Sequence, residues 1–109
     1  LLKPITKLKT ISIKKNMGWC DDIKSNNYNK LIKITKKVKH EKLYKLSKNY
    51  DILIPINYNT TNPKKNKGSA IFIHLTKNYQ GTLGCVSIQM KDMLTLLKVI
   101  NKKTKIKIA

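Results

Sequence analysis

A β-rich α+β fold with one main helix near the C-terminus is what this sequence predicts, on three observations. Several short segments alternate lysine with apolar residues at the two-residue period of a strand. The run Ala70-Ile71-Phe72-Ile73-His74-Leu75 is apolar almost throughout, as in a strand buried on both faces. Between Gln89 and Ile100, Met90, Met93, Leu94, Leu96, Leu97 and Ile100 recur at helical spacing. With 109 residues the chain amounts to at most one small domain, and it contains no internal repeat.

In chain order, residues 1–17 read as an edge-like strand or an extended arm, from alternations such as Lys7-Leu8-Lys9 and Thr10-Ile11-Ser12-Ile13. The domain proper then runs over 18–109. Residues 18–30 are rich in turn formers and hold two of the five acids, which predicts an ordered loop. Residues 31–39 suit a short strand or an irregular segment. His40-Glu41-Lys42-Leu43-Tyr44-Lys45-Leu46 carries apolar residues at a spacing that suits one short helix. Asp51 to Tyr58 reads as a strand, and Pro55 assigns it to an edge or a bulge because proline cannot donate to a ladder. A polar, lysine-rich loop covers 59–69. The apolar strand ending near His74 follows, then a loop over 76–84 with Gly81 and Gly84, a strand from Cys85 to Ile88, and the helix. Thr104-Lys105-Ile106-Lys107-Ile108 alternates and predicts a final strand.

The formal net charge is +19, carried by 24 basic residues that are all lysine. Such a surface is drawn to polyanions: nucleic acid, anionic lipid or an anionic cell wall. The absence of arginine argues against a nucleic-acid reader, since the guanidinium fork is what grips phosphates and guanine edges with two bonds. A biased composition, in which lysine fills any tolerant surface position, explains the same charge without a partner. No apolar run approaches the roughly 20 residues of a membrane span, and no secretory signal is visible. Two cysteines, Cys20 and Cys85, are too few for a disulfide framework and lack metal-ligand spacing, although one bridge between them stays open.

The informative pattern is one cysteine beside a well-placed histidine. His74 lies near the end of a predicted buried strand, and Cys85 opens another eleven positions on. A nucleophilic cysteine reacts as thiolate, so a base must take its proton within hydrogen-bond reach. Two adjacent strands can bring such residues together. Gly84 lets the backbone turn sharply before Cys85, making the amides of Leu83, Gly84 and Cys85 candidate oxyanion donors. By spacing alone, a structural histidine and an inert buried cysteine fit as well.

The residue types go further. Gly68-Ser69-Ala70-Ile71-Phe72-Ile73-His74 followed by Gly81-Thr82-Leu83-Gly84-Cys85-Val86-Ser87-Ile88 resembles the active-site motif of the L,D-transpeptidase (YkuD-like) family. His74 matches that family's base, Thr82 its small hydroxyl residue, Gly84 its glycine, Cys85 its nucleophile and Val86 its apolar position. Gly18-Trp19-Cys20-Asp21-Asp22, Tyr28-Asn29 and the region from His40-Glu41 to Tyr58-Asn59 resemble a subgroup with a Trp-Cys-Asp-Asp loop. The likeness spans roughly residues 18–109. It implies a YkuD-like β-sandwich or sheet, an acyl-enzyme on Cys85, and orientation of His74 by the backbone carbonyl of Leu75. It further implies peptidoglycan stem peptides as substrate, a periplasmic or envelope location, and no metal or organic cofactor. Two positions depart from the pattern: Leu83 stands where the family has a second histidine, and Ser87 where it often has arginine. The His-to-Cys interval is shorter than usual, and the family domain normally begins with strands that would precede Leu1.

Around this pair, Trp19, Asp21 and Asp22 either line a substrate groove or pin their loop by packing and capping. Ser69 and Tyr79 flank the pair and either hydrogen-bond substrate or belong to loops. Cys20 is assigned to structure, His40 to an exposed helix start, and the Met90–Ile100 stripe to core packing. The alternative to an enzyme is a non-catalytic, lysine-rich module that binds anionic cell-wall polymer or nucleic acid.

Overall fold

The computed structural model describes residues 4–45, 48–65, 67–76 and 86–107. It consists of two small three-stranded sheets and one helix, a β-rich α+β architecture as expected. In the first sheet β1 (Met17–Cys20) lies between β2 (Leu31–Lys33) and β3 (His40–Lys42), antiparallel to both. In the second, β5 (Phe72–Leu75) lies between β4 (Ile54–Pro55), antiparallel, and β6 (Val86–Ile88), parallel. A single 3₁₀ turn, Lys48–Tyr50, precedes β4, and α1 (Met90–Val99) follows β6 after one residue.

The period of two along β5 organises the interior. Ile73 and Leu75 point to one side, where they form a core with Met93 and Leu97 of α1. Phe72 points to the other, into a cluster with Trp19 of the first sheet and Leu43, which follows β3. Trp19 and Phe72 meet edge to face, with ring centroids 5.2 Å apart. The second sheet is therefore covered by the helix on one face and by the first sheet on the other, which is why β5 reads as continuously apolar. The helix is held by the stripe the sequence displays, with Met93 and Leu97 buried. Asp92 in its first turn and Lys98 in its last suit the helix dipole.

Several local expectations are corrected. Residues 18–20 are not loop: they continue the central strand of the first sheet. Turn formers around them conceal a strand whose last three residues are all buried. Gly18 suits that place. A Cβ there would lie 3.0 Å from Ile34 Cγ1 and 3.3 Å from the Glu41 carbonyl oxygen, so a side chain would require these neighbours to give by a few tenths of an ångström. His40–Lys42 is strand rather than helix, because pairing with β1 overrides a weak local helical pattern. His40 is accordingly half-buried on β3, and its Nδ1–H donates to the Val38 carbonyl oxygen at 2.8 Å. The strand expected over 51–58 shortens to Ile54–Pro55, an edge as Pro55 requires.

At the C-terminus the described residues 104–107 form no strand; a turn closed by Thr104 N–H on the Asn101 carbonyl precedes them, and Ile106 is exposed. Alternation alone cannot build a strand without a partner edge. The N-terminal segment pairs with no strand over residues 4–16, yet Leu8 packs against the helix-side core and Ile13 against the Trp19 cluster. Leu8 and Ile13 anchor this segment, whereas Ile5 and Ile11 are exposed.

Candidate active site

His74 sits on β5 on the same side as Phe72, facing the first sheet, and is half-buried. Its Nδ1 lies 3.0 Å from the carbonyl oxygen of Leu75. A carbonyl only accepts, so Nδ1 carries a proton, which in the neutral ring leaves the lone pair on Nε2. That is the protonation pattern a general base needs. The ring is flanked by Tyr50, whose centroid lies 5.5 Å away at a tilt of 55°.

The parallel pairing sets Ile73 opposite Val86, His74 opposite Ser87 and Leu75 opposite Ile88. The residue that follows Cys85 is thus registered beside the residue that precedes His74. Cys85, Gly84, Leu83 and Thr82, the remaining members of the sequence motif, lie outside the described residues, as does Tyr79.

The other residues singled out in the sequence occupy the approach to β5. Ser69 stands between Gly68 (φ 105) and Ala70 (φ 56), and its hydroxyl donates to the Cys20 carbonyl at 3.4 Å. Trp19 is 8% exposed, and its indole N–H donates to Asn29 Oδ1 at 2.9 Å. Asp22 accepts the backbone N–H of Lys24 at 2.9 Å and of Lys39 at 3.2 Å. These two bonds, first Lys24 and then Lys39, hold its carboxyl below the usual aspartate value. Asp21 keeps one carboxylate oxygen buried without a hydrogen-bond partner. Cys20 is a fully buried free thiol.

Sequence reasoning passed over Asn29, which ties these parts together. It is 2% exposed and left-handed at φ 60, a conformation asparagine tolerates better than most residues. Its Oδ1 accepts from Trp19 Nε1 and from the Ala70 backbone N–H at 3.1 Å. Its Nδ2 donates to the carbonyl oxygens of Tyr58 at 2.9 Å and Asn59 at 2.7 Å. One side chain therefore ties strand β1 at Trp19 to the chain after β4 and to the entry into β5. In the sequence Tyr28-Asn29 stood out only as part of the subgroup resemblance and of a cluster of turn formers, with no role assigned to the side chain. Tyr50 was passed over as well, its position giving no pattern of its own.

Among the described residues there is no group of three or more His, Cys, Asp or Glu side chains that could hold a metal ion. Nor, among them, is any helix long and apolar enough to cross a membrane. The family profile of the YkuD L,D-transpeptidase catalytic domain matches residues 4–108. The chain belongs to that family. No curated protein and no solved structure matches it.

Proposed function

We propose that this member of the L,D-transpeptidase family uses Cys85 as nucleophile and His74 as base on peptidoglycan stem peptides in the cell envelope. The observation that supports this most is the contact of His74 Nδ1 with the carbonyl oxygen of Leu75 at 3.0 Å, the orientation that the motif implies for its base.

The chemistry follows from these roles. Nε2 of His74 takes the proton from Cys85 Sγ, and the thiolate attacks the carbonyl carbon between a diaminopimelate-type residue and a terminal D-residue. The carbonyl π electrons move to oxygen, where the backbone N–H groups of Leu83, Gly84 and Cys85 stabilise the oxyanion. Collapse breaks the C–N bond, and His74 hands its proton to the leaving amine. A thioester on Cys85 remains. An incoming amine converts it to a new amide cross-link, and water converts it to a carboxylate. Both routes return the thiol. Thr82 and Ser69 contact the donor peptide in this reading. Asp22 and Trp19, engaged with backbone and Asn29, border the donor groove rather than reach into it.

The test is a purified stem tetrapeptide ending in a D-residue, followed by mass spectrometry. Release of that residue by the wild type and its loss in His74→Ala support the reading; equal release by both contradicts it.

A second reading has one observation in its favour. A groove of about 990 Å³ is lined by Lys67, Lys102, Lys103 and Lys105 together with Tyr58 and Ile106, and no acidic residue borders it. A lysine-rich module for anionic polymer would use such a surface. Its binding would fall steeply with salt and ignore Cys85→Ala.

A further inference from the structure

The sequence contains a single glutamate, Glu41, and the fold places it on the inner face of the first sheet. Glu41 is the cross-strand partner of Trp19 on β1, so the two side chains share the face that looks onto Phe72 and His74. Its Oε1 accepts the hydroxyl of Tyr50 and the ammonium of Lys45, the latter at 3.2 Å. Lys45 Nζ also stands 4.2 Å from the centroid of the Tyr50 ring. Tyr50 is thereby held by its hydroxyl, by a cation on its π system, and by edge-to-face contact with Phe72 at 6.0 Å. The ring so fixed is the one that abuts the His74 imidazole.

We propose that Tyr50, locked by Glu41 and Lys45, is a positioning residue for His74. This rests on the reading of His74 as the base. A hydrogen bond from Nδ1–H to Leu75 fixes the imidazole along one direction only, and rotation of the ring about its bonds to the backbone swings Nε2 away. The Tyr50 ring closes off that rotation. Glu41 acts one step further back: its carboxylate keeps the tyrosine ring from leaving, and Lys45 offsets the charge that the carboxylate brings to the inter-sheet layer. The geometry also explains why the one glutamate stands on β3 among lysines, where a purely surface role would be served by any polar residue.

The device predicts separable effects. Tyr50→Leu keeps apolar bulk but removes the flat wall. Glu41→Gln keeps the shape and an acceptor but replaces a charge-assisted bond with a weaker neutral one. Each variant is read first by ¹⁵N NMR of the His74 ring nitrogens. In its neutral ring the wild type shows one protonated Nδ1 and one unprotonated Nε2. Tyr50→Leu shifts both signals toward the average of two exchanging tautomers, and Glu41→Gln shifts them part of the way. Acylation of Cys85 by a donor peptide is read second. The rate falls about 10- to 100-fold in Tyr50→Leu with KM little changed, the signature of a displaced base rather than lost substrate contact. Tyr50→Phe, which keeps the wall but loses the bond to Glu41, shows the same part-way shift as Glu41→Gln.

A folded Tyr50→Leu and a folded Glu41→Gln that both keep the wild-type ¹⁵N pattern would overturn the role of Tyr50. The ring signals need no reaction at Cys85. A wild type with the single tautomer that never acylates would therefore sink the enzymatic reading and leave the Tyr50–His74 coupling standing. Should Tyr50→Leu fail to fold, Glu41→Gln and Tyr50→Phe carry the test.

Discussion

Replacing Asn29 by alanine removes the one side chain that bonds the first sheet's loop to both flanks of the candidate site, and the cost can be worked from its partners. Two donors, the buried Trp19 Nε1 and the part-buried Ala70 backbone N–H, lose this acceptor. Each orphaned buried donor costs about 1–3 kcal/mol. The carbonyls of Tyr58 and Asn59 lose a donor but keep better access to water. Alanine at φ 60 adds about 1–2 kcal/mol of backbone strain that asparagine largely avoids. The expected loss is about 3–8 kcal/mol, a large share of the roughly 5–15 kcal/mol typical of a domain. Asn29→Gly separates the two contributions, since glycine accepts the left-handed conformation and supplies no amide. It should recover only the strain, about 1–2 kcal/mol. Urea unfolding followed by tryptophan fluorescence is the assay, because Trp19 is the sole tryptophan and is buried. Far-UV circular dichroism supplies a second probe of the same transition. A loss under about 1 kcal/mol in Asn29→Ala, or a near-complete recovery in Asn29→Gly, would refute the reasoning that these hydrogen bonds organise the entry into β5.

Two further outcomes follow from the same structure. The Asp22 carboxyl titrates below the ordinary aspartate value in the folded chain, so its contribution to stability is present above the unfolded value near pH ~3.9 and is lost as pH falls through the folded one. NMR titration of Asp22 should show the depressed midpoint, and Asp22→Asn should flatten stability against pH in that acidic window; an unshifted midpoint would contradict the capping by Lys24 and Lys39. Met93 is fully buried between α1 and β5, so Met93→Ala should cost about 2–4 kcal/mol in a thermal melt, whereas a loss within error would mean that the helix does not close that face.

Legibility of the fold divided along the line between strong periodicity and tertiary pairing. The helix over Met90–Val99 and the buried strand over Phe72–Leu75 were plain because their apolar patterns are long and match one period. The central strand Met17–Cys20 was hidden: a glycine that fits between two strands and flanking turn formers look like loop until the neighbours are present. His40–Lys42 illustrates the converse, where three residues with a faint helical spacing take the conformation their partner strand dictates. The 104–108 alternation predicted a strand that needs an edge to pair with, and a sequence does not display edges. At the site, His74 and the Leu75 carbonyl were reached through the family motif and meet in the structure. The roles of Asn29, Tyr50 and Glu41 were out of reach because each depends on partners distant in sequence, such as Tyr50 for Glu41 and Ala70 for Asn29. Cys85, Gly84, Leu83 and Thr82 carry the proposal from the motif.

The most direct test of the central claim is intact-mass spectrometry of the protein incubated with a carbapenem, beside Cys85→Ala and His74→Ala. The account predicts one covalent adduct on the wild type, none on Cys85→Ala, and an adduct that forms far more slowly or not at all on His74→Ala. An unmodified wild type whose Trp19 fluorescence shows it folded, or an adduct that persists in Cys85→Ala, would contradict it.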